Sequence, residues 1–169
     1  MWIRMKYCLA AILFGVSGLS EAVDRQLPGR VLWVVDGDSL VLDVRGSQYR
    51  IELSGIDAPE LNQAWGQAAA DRLKHALTGG FVVVDSADTA PDGRVHGRLT
   101  YKNRDIGLDL LHEGLAWCTI GPVTETPYDT NHPYRDAESA ARQTRRGLWS
   151  DEHPVPPWEW REQRLRPFD

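Results

Sequence analysis

The feature that most constrains this chain is a pair of acidic turns, each placed at the end of a strand-like apolar run. They are Val34-Val35-Asp36-Gly37-Asp38-Ser39 and Leu53-Ser54-Gly55-Ile56-Asp57-Ala58-Pro59-Glu60. Asp-Gly between valine-rich flanks is a hairpin signal, with Gly37 expected to supply the positive φ that a tight turn uses. Pro59 fixes its own φ and ends the strand before it. Either turn alone reads as a solvated surface turn. Together they gather four carboxylates at strand ends, where a hard cation can be held beside a phosphate, and Gly97-Arg98 adds a basic partner downstream. The combination favours a metal site.

Around these turns, residues 29–57 read as three strands. Val31–Val35 and Leu40–Val44 flank the Asp-Gly turn, and Gly46-Ser47 makes a second turn. Tyr49, Ile51 and Leu53 then alternate with Arg50, Glu52 and Ser54 in the pattern of a half-buried strand. The period changes after Glu60: apolar residues at 65, 69, 73 and 77 predict a helix over Ala64–Leu77, stopped by Gly79-Gly80. Phe81–Val84 predicts a short strand, and Gly97-Arg98-Leu99-Thr100-Tyr101 begins another. Ile106–His112 predicts a short helix ended by Gly114, and residues 119–133 a long loop. Tyr134–Arg146 predicts a helix with Ala137, Ala140 and Ala141 inward and arginines at its C-terminal end, where they suit the dipole. In the tail, Pro154-Val155-Pro156-Pro157-Trp158-Glu159-Trp160 predicts an extended strap held by its two tryptophans rather than a regular helix. Strands, one inserted helix, more strands and a late helix describe a small barrel of α+β, mainly β class. They do not describe the regular alternation of a doubly wound sheet.

The N-terminus reads as a leader. Met1-Trp2-Ile3-Arg4-Met5-Lys6 is positively charged, Tyr7–Leu19 is almost wholly apolar, and Ser20-Glu21-Ala22 offers small residues at a cleavage point. Residues 1–22 are therefore expected to be a signal peptide and the protein to be secreted or periplasmic, with no membrane attachment after cleavage. Removing this stretch takes away Cys8 and leaves Cys118 alone, in an apolar run that favours a core role over a nucleophilic one. The whole chain has 19 basic and 24 acidic residues. Without Arg4, Lys6 and Glu21 these become 17 and 23, a net of −6. Such a balance excludes a broad basic surface for tight, nonspecific DNA binding; a local pocket and a cation must do the attracting.

Five segments, in order, resemble the staphylococcal nuclease (thermonuclease) family. They are Val35-Asp36-Gly37-Asp38-Ser39, Gly55-Ile56-Asp57-Ala58-Pro59-Glu60, Gly97-Arg98-Leu99-Thr100-Tyr101, Glu113-Gly114-Leu115-Ala116 and Arg146-Gly147-Leu148-Trp149. The Pro-Pro-Trp-Glu-Trp tail is similar to that of exported bacterial members. The resemblance divides the chain into the leader, a nuclease-like domain over 23–150 and a Pro/Trp-rich extension over 151–169. It implies a five-stranded OB-fold barrel with about three helices, one bound Ca²⁺, and a monomer hydrolysing phosphodiesters of single-stranded or unstructured DNA or RNA. By position it makes Asp38 and Asp57 the carboxylate ligands, with the backbone carbonyl of Ala58 beside them. Oxygen-only ligation suits Ca²⁺. Glu60 matches the residue that orients and deprotonates the attacking water, and Arg98 one of two arginines that grip the phosphate. Asp36 is left to support the turn.

The departures are as informative. The family's other arginine lies five residues before the second metal aspartate, and here that position is Glu52. At ~5 Å and an effective dielectric of ~20, one such charge pair is worth roughly 3 kcal/mol, now repulsive to a phosphate. Arg50 stands roughly 6.7 Å away on the same strand face. It either reaches across to the phosphate or pairs with Glu52; the second is expected, because rescue needs an extended rotamer held in place. Family tyrosines after the Gly-Leu-Ala run are Ile120 and Pro122 here, and Arg94 and His96 replace an Asp and a Tyr. Tyr128 and Tyr134 are left as candidates to stack a base, a role that competes with simple packing. The leading expectation is an exported, Ca²⁺-dependent nuclease weakened by Glu52. The alternative is a catalytically impaired OB-fold module binding nucleic acid or protein.

Overall fold

The computed structural model describes residues 25–119 and 132–165. Strands β1 (Arg25–Val34), β2 (Ser39–Val44) and β3 (Ser47–Leu53) form an antiparallel meander. The β2–β3 turn places Arg45 and Gly46 at φ 53° and 87°, the mirror-image turn whose twist matches a two-residue hairpin. A two-residue strand, β4 (Ile56–Asp57), leads to helix α1 (Gly66–Leu77). Strands β5 (Phe81–Thr89), β6 (Val95–Tyr101) and β7 (Arg104–Asp105) follow, then α2 (Ile106–Glu113), β8 (Trp117–Cys118) and α3 (His132–Gln143). A 3₁₀ turn over Gly147–Ser150 and helix α4 (Pro157–Leu165) end the described chain.

The sheet runs β3-β2-β1-β5-β6-β7, and parallel pairing of β3 with β6 closes β1, β2, β3, β5 and β6 into a five-stranded barrel. Closure removes the sheet edges that would otherwise invite pairing with another chain. Leu40, Leu42, Ile51, Val84 and Leu99 fill the barrel, while Leu73 and Leu77 of α1 and Leu110 and Leu111 of α2 are buried against it. The alternation expected for Tyr49–Ser54 is present: Ile51 and Leu53 face inward, and Arg50 and Glu52 face outward. A smaller cluster of Trp117, Ala141, Leu148 and Trp149 joins α3 to the 3₁₀ turn. Gly114, at φ 68°, caps α2 and leaves no room for a Cβ against the Arg146 carbonyl, which lets Leu148 N–H donate to Gly114 O (2.8 Å). Among the described residues no helix is long and apolar enough to cross a membrane.

Several expectations are corrected. The tail is not an extended strap throughout: α4 begins at Pro157, because proline at the first helical position loses no intrahelical bond and arrives with the right φ. Among the described residues α4 adds to the three helices expected from the sequence, on the five-stranded barrel that was expected. Both tail tryptophans do pin it. Trp158 meets Trp117 edge-on (5.6 Å between centroids), and Trp160 Nε1 donates to Asn62 Oδ1 (3.3 Å). Helix α1 starts two residues late because Trp65 takes φ 70°, its indole donating to Asp151 Oδ2 (3.1 Å). Strand β5 runs on to Thr89, through polar residues that its pairing with β6 sustains. In α3, Ala137 and Ala141 are buried but Ala140 is exposed.

Candidate active site

The site is built where the two acidic turns meet. Asp36 Oδ1 accepts from Ser39 N–H (2.8 Å) and Asp38 N–H (3.2 Å), fixing the first turn. Gly37 earns its place differently from the expectation: its φ is not positive, but a Cβ there would lie 2.6 Å from Ala58 Cβ and 2.7 Å from Ala69 Cβ. Absence of a side chain thus lets the first turn dock on the second and on α1. Across this contact Asp38 Oδ2 accepts from Ala58 N–H (2.6 Å), and Leu53 N–H donates to Asp38 O (2.9 Å). Burial pushes the Asp38 carboxyl up to about 8, opposed by the Ala58 hydrogen bond and reinforced by the Asp36 and Asp57 charges. Beside it, Ser39 Oγ is buried with no hydrogen-bond partner.

Asp57 is held by β4, paired antiparallel with β8 opposite Trp117. Glu60 is set by a local exchange with Gln63: Glu60 N–H donates to Gln63 Oε1 (3.1 Å), and Gln63 N–H to Glu60 O (2.7 Å). Gln63 Nε2 donates in turn to Val155 O (2.5 Å), tying this loop to the segment before α4. From α4, Arg161 Nη2 donates to Asp57 Oδ2 (2.8 Å). Its Nη1 donates to Asp57 Oδ1 (3.2 Å) and Glu60 Oε1 (2.9 Å). These hydrogen bonds to the two carboxylates hold the guanidinium well above its usual pKa.

These residues line one cavity of about 650 Å³. Asp38, Asp57, Ala58, Glu60 and Arg50 all border it, and so do Asp36 and Glu52. The expected pairing of Arg50 with Glu52 is not found. Parallel pairing sets Glu52 opposite His96, and Arg94 Nη1 reaches Glu52 Oε2 (2.5 Å) while its Nε binds Asp92 Oδ2 (2.6 Å). Arg98 does not border the cavity. It lies one pleat beyond His96 on the same face, 46% exposed, with Nε 3.3 Å from Asp105 Oδ2. Tyr134 is corrected from stacking candidate to core residue. It is 3% exposed, its hydroxyl donates to Asp105 Oδ1 (2.8 Å), and burial holds the phenol well above its usual pKa. Packing of α3 on α2 sets that hydroxyl over Gly107, where a Cβ would come within 2.9 Å. Tyr128, Ile120 and Pro122 lie outside the described residues.

Arg94 and Arg161 are the site residues that sequence reasoning missed. Arg94 shares strand alternation with His96 and Arg98, but only the parallel β3–β6 register reveals Glu52 as its partner. Arg161 stands 104 residues from Asp57 and carries no local signal beyond the tryptophans that anchor its helix.

Among the described residues, no three or more His, Cys, Asp or Glu side chains are arranged to hold a metal on their own. The donors nonetheless fit a hard cation. Asp38 ionises reluctantly because it is buried and has Asp36 and Asp57 nearby, Ser39 Oγ is an unsatisfied oxygen next to it in the chain, and Asp38, Asp57 and Glu60 offer carboxylate oxygens to the same cavity. A dication there would favour the charged form of Asp38.

The family described as "Staphylococcal nuclease homologue" matches residues 50–151. An Escherichia coli protein named "Uncharacterized endonuclease" is 38% identical over 135 residues, covering 79% of this chain and 84% of its own. "Protein ParB" of Escherichia coli is 31% identical over 174 residues, covering 94% and 93%. "Micrococcal nuclease" of Shigella flexneri is 32% identical over 144 residues, covering 79% of each. With the motifs in order on a closed five-stranded barrel, these matches make the chain a member of the staphylococcal nuclease family.

Proposed function

We propose that this chain is an exported, Ca²⁺-dependent nuclease that hydrolyses phosphodiester bonds of single-stranded or unstructured DNA or RNA, acting as a monomer. The observation that carries the reading is the cavity itself, which Asp38, Asp57 and Glu60 line together with Arg50, Arg94 and Arg161. Relatives named endonuclease and micrococcal nuclease support nucleic acid as the substrate. The charged Met1–Lys6 and apolar Tyr7–Leu19 support export to the periplasm or beyond.

Asp38 and Asp57, with the Ala58 carbonyl beside them, would hold the ion. When bound it supplies positive charge next to the phosphoryl oxygens. Glu60 takes the proton of the attacking water. Its Oε1 is fixed by Arg161, and Oε2 has no hydrogen-bond partner among the described residues, so it is free to orient that water. In-line attack forms a bond from the water oxygen to phosphorus as the bond from phosphorus to one sugar oxygen breaks, and that oxygen leaves with a proton taken from solvent. The negative charge spread over the phosphoryl oxygens is stabilised by forked guanidinium donors at the cavity wall. Arg98, outside the cavity and paired with Asp105, would add a further guanidinium to a nucleic-acid strand that runs past the cavity wall.

The second reading, a catalytically impaired OB-fold binding module, draws on one observation: the Glu52 carboxylate lies in the cavity wall and ties up Arg94. Calorimetric Ca²⁺ titration of the wild type, Asp38→Ala and Asp57→Ala, together with turnover of each, separates the two readings. The nuclease reading expects Ca²⁺ binding and cleavage to vanish together in both variants. Ca²⁺ affinity unchanged in either variant would remove the metal assignment.

A further inference from the structure

The cavity wall carries more carboxyl groups than guanidinium groups. Five carboxylates (Asp36, Asp38, Glu52, Asp57 and Glu60) border it against three guanidinium groups. Of those three, Arg94 is committed at both ends, to Glu52 and Asp92. Arg50 projects from the exposed side of β3 and makes no ion pair among the described residues. Arg161 alone among them touches the residues assigned to the chemistry, through three donor contacts of 2.8 to 3.2 Å.

We propose that Arg161 is a substrate-binding residue of this site, gripping the non-bridging oxygens of the bound phosphate, so that the C-terminal helix is a working part of the cavity. The proposal rests on the nuclease reading above. The planar fork that now holds carboxylate oxygens presents the same donors, at the same spacing, to phosphate oxygens. With Asp57 engaged by an ion, Arg161 retains Glu60 and frees its other donors for the substrate. Its delivery is fixed: Pro157 is buried, Trp158 packs on Trp117, and Trp160 and Val155 are bonded to Asn62 and Gln63 in the loop that carries Glu60. The Arg161 side chain is nevertheless 47% exposed, so it meets both solvent and cavity and needs only side-chain rotation to change partners.

The test uses the full chain as R161Q, which preserves helix propensity and the polar stem, as R161K, and as R164A, a charge control on the same helix. Binding of a fluorescein-labelled, phosphorothioate-linked single-stranded oligonucleotide in Ca²⁺ is followed by anisotropy across a salt series. Ca²⁺ affinity is measured by calorimetry and cleavage by steady-state kinetics. R161Q is expected to bind the oligonucleotide at least 10-fold more weakly. The slope of log K against log salt should become shallower by about 0.7, one single-strand phosphate contact, and kcat/KM should fall about 10²-fold. Ca²⁺ affinity should match or exceed the wild type. R161K, with charge but no fork, falls between, and R164A matches the wild type. Wild-type oligonucleotide affinity and salt slope in R161Q would overturn the proposal, as would faster turnover with tighter Ca²⁺ binding, the mark of a plug that competes with the ion. A wild-type chain that neither binds nor cleaves would instead bring down the nuclease reading, and this proposal with it.

Discussion

Replacing Asp38 by Asn should make the metal-free protein more stable while destroying its metal site. An ordinary aspartate loses its proton near 3.8, as it does in the unfolded chain, but Asp38 in the fold does so only near 8. Between those values the folded state binds the extra proton. Stability is therefore fully present below about pH 4 and falls as pH rises toward 8, by about 1.4 kcal/mol for each pH unit crossed. At pH 7.5 the accumulated loss is on the order of 4 kcal/mol. Asparagine cannot ionise, keeps the shape, and still offers an oxygen to the Ala58 N–H that Asp38 Oδ2 now accepts. In chelator at pH 7.5, Asp38→Asn should melt on the order of 10 °C above the wild type. The gap should close as pH is lowered to 4. Wild-type Ca²⁺ binding at pH 7 should release close to one proton, visible as a buffer-dependent calorimetric heat. Parallel stability profiles for the two proteins from pH 4 to 8 would refute the reasoning, since the difference between them isolates this one carboxyl.

Glu60→Gln should lower turnover by about 10²-fold or more while oligonucleotide binding persists, because size is kept and only the base is lost; undiminished turnover in a burst-free assay would place the base elsewhere. Glu52→Arg should raise kcat/KM by about an order of magnitude, since it removes the carboxylate that holds Arg94 at 2.5 Å and adds a cation to the wall. Unchanged or lower activity would give Glu52 a role of its own. Gly37→Ala should shift the turn off Ala58, whose Cβ lies 2.6 Å from the new methyl position, costing about 1–3 kcal/mol by chemical denaturation and weakening Ca²⁺ binding. A variant with wild-type values for both would show that the docking of the two turns is not needed.

Much of this fold was legible in local pattern. Alternation named β3 with the correct face inward, the 65/69/73/77 spacing named α1, and Gly114 named the end of α2. The two acidic turns could be read because each is a short-range object whose Asp, Gly and Pro act on their own neighbourhood. What escaped was long-range. Glu52 meets Arg94 only because β3 and β6 close the barrel in parallel, a pairing with no counterpart in sequence spacing. Arg161 enters from a helix that Pro156-Pro157 argued against, and tertiary contacts of Trp158 and Trp160 decide where it lands. Tyr134 looked like a stacking surface because a tyrosine beside a loop is ambiguous until the packing of α3 on α2 is known. Gly37 was chosen for the right turn and the wrong reason: contact with Ala58 and Ala69, not backbone handedness, requires it.

The most direct measurement is digestion of single-stranded DNA by the purified chain, followed on a denaturing gel with Ca²⁺ and with a Ca²⁺-selective chelator. Progressive fragmentation in Ca²⁺, none in chelator, and none from Asp57→Ala in either condition is the result expected of a cavity built around Asp38, Asp57 and Glu60. Intact DNA in Ca²⁺ at enzyme concentrations equal to the substrate, or cleavage that survives both the chelator and the loss of Asp57, would contradict it.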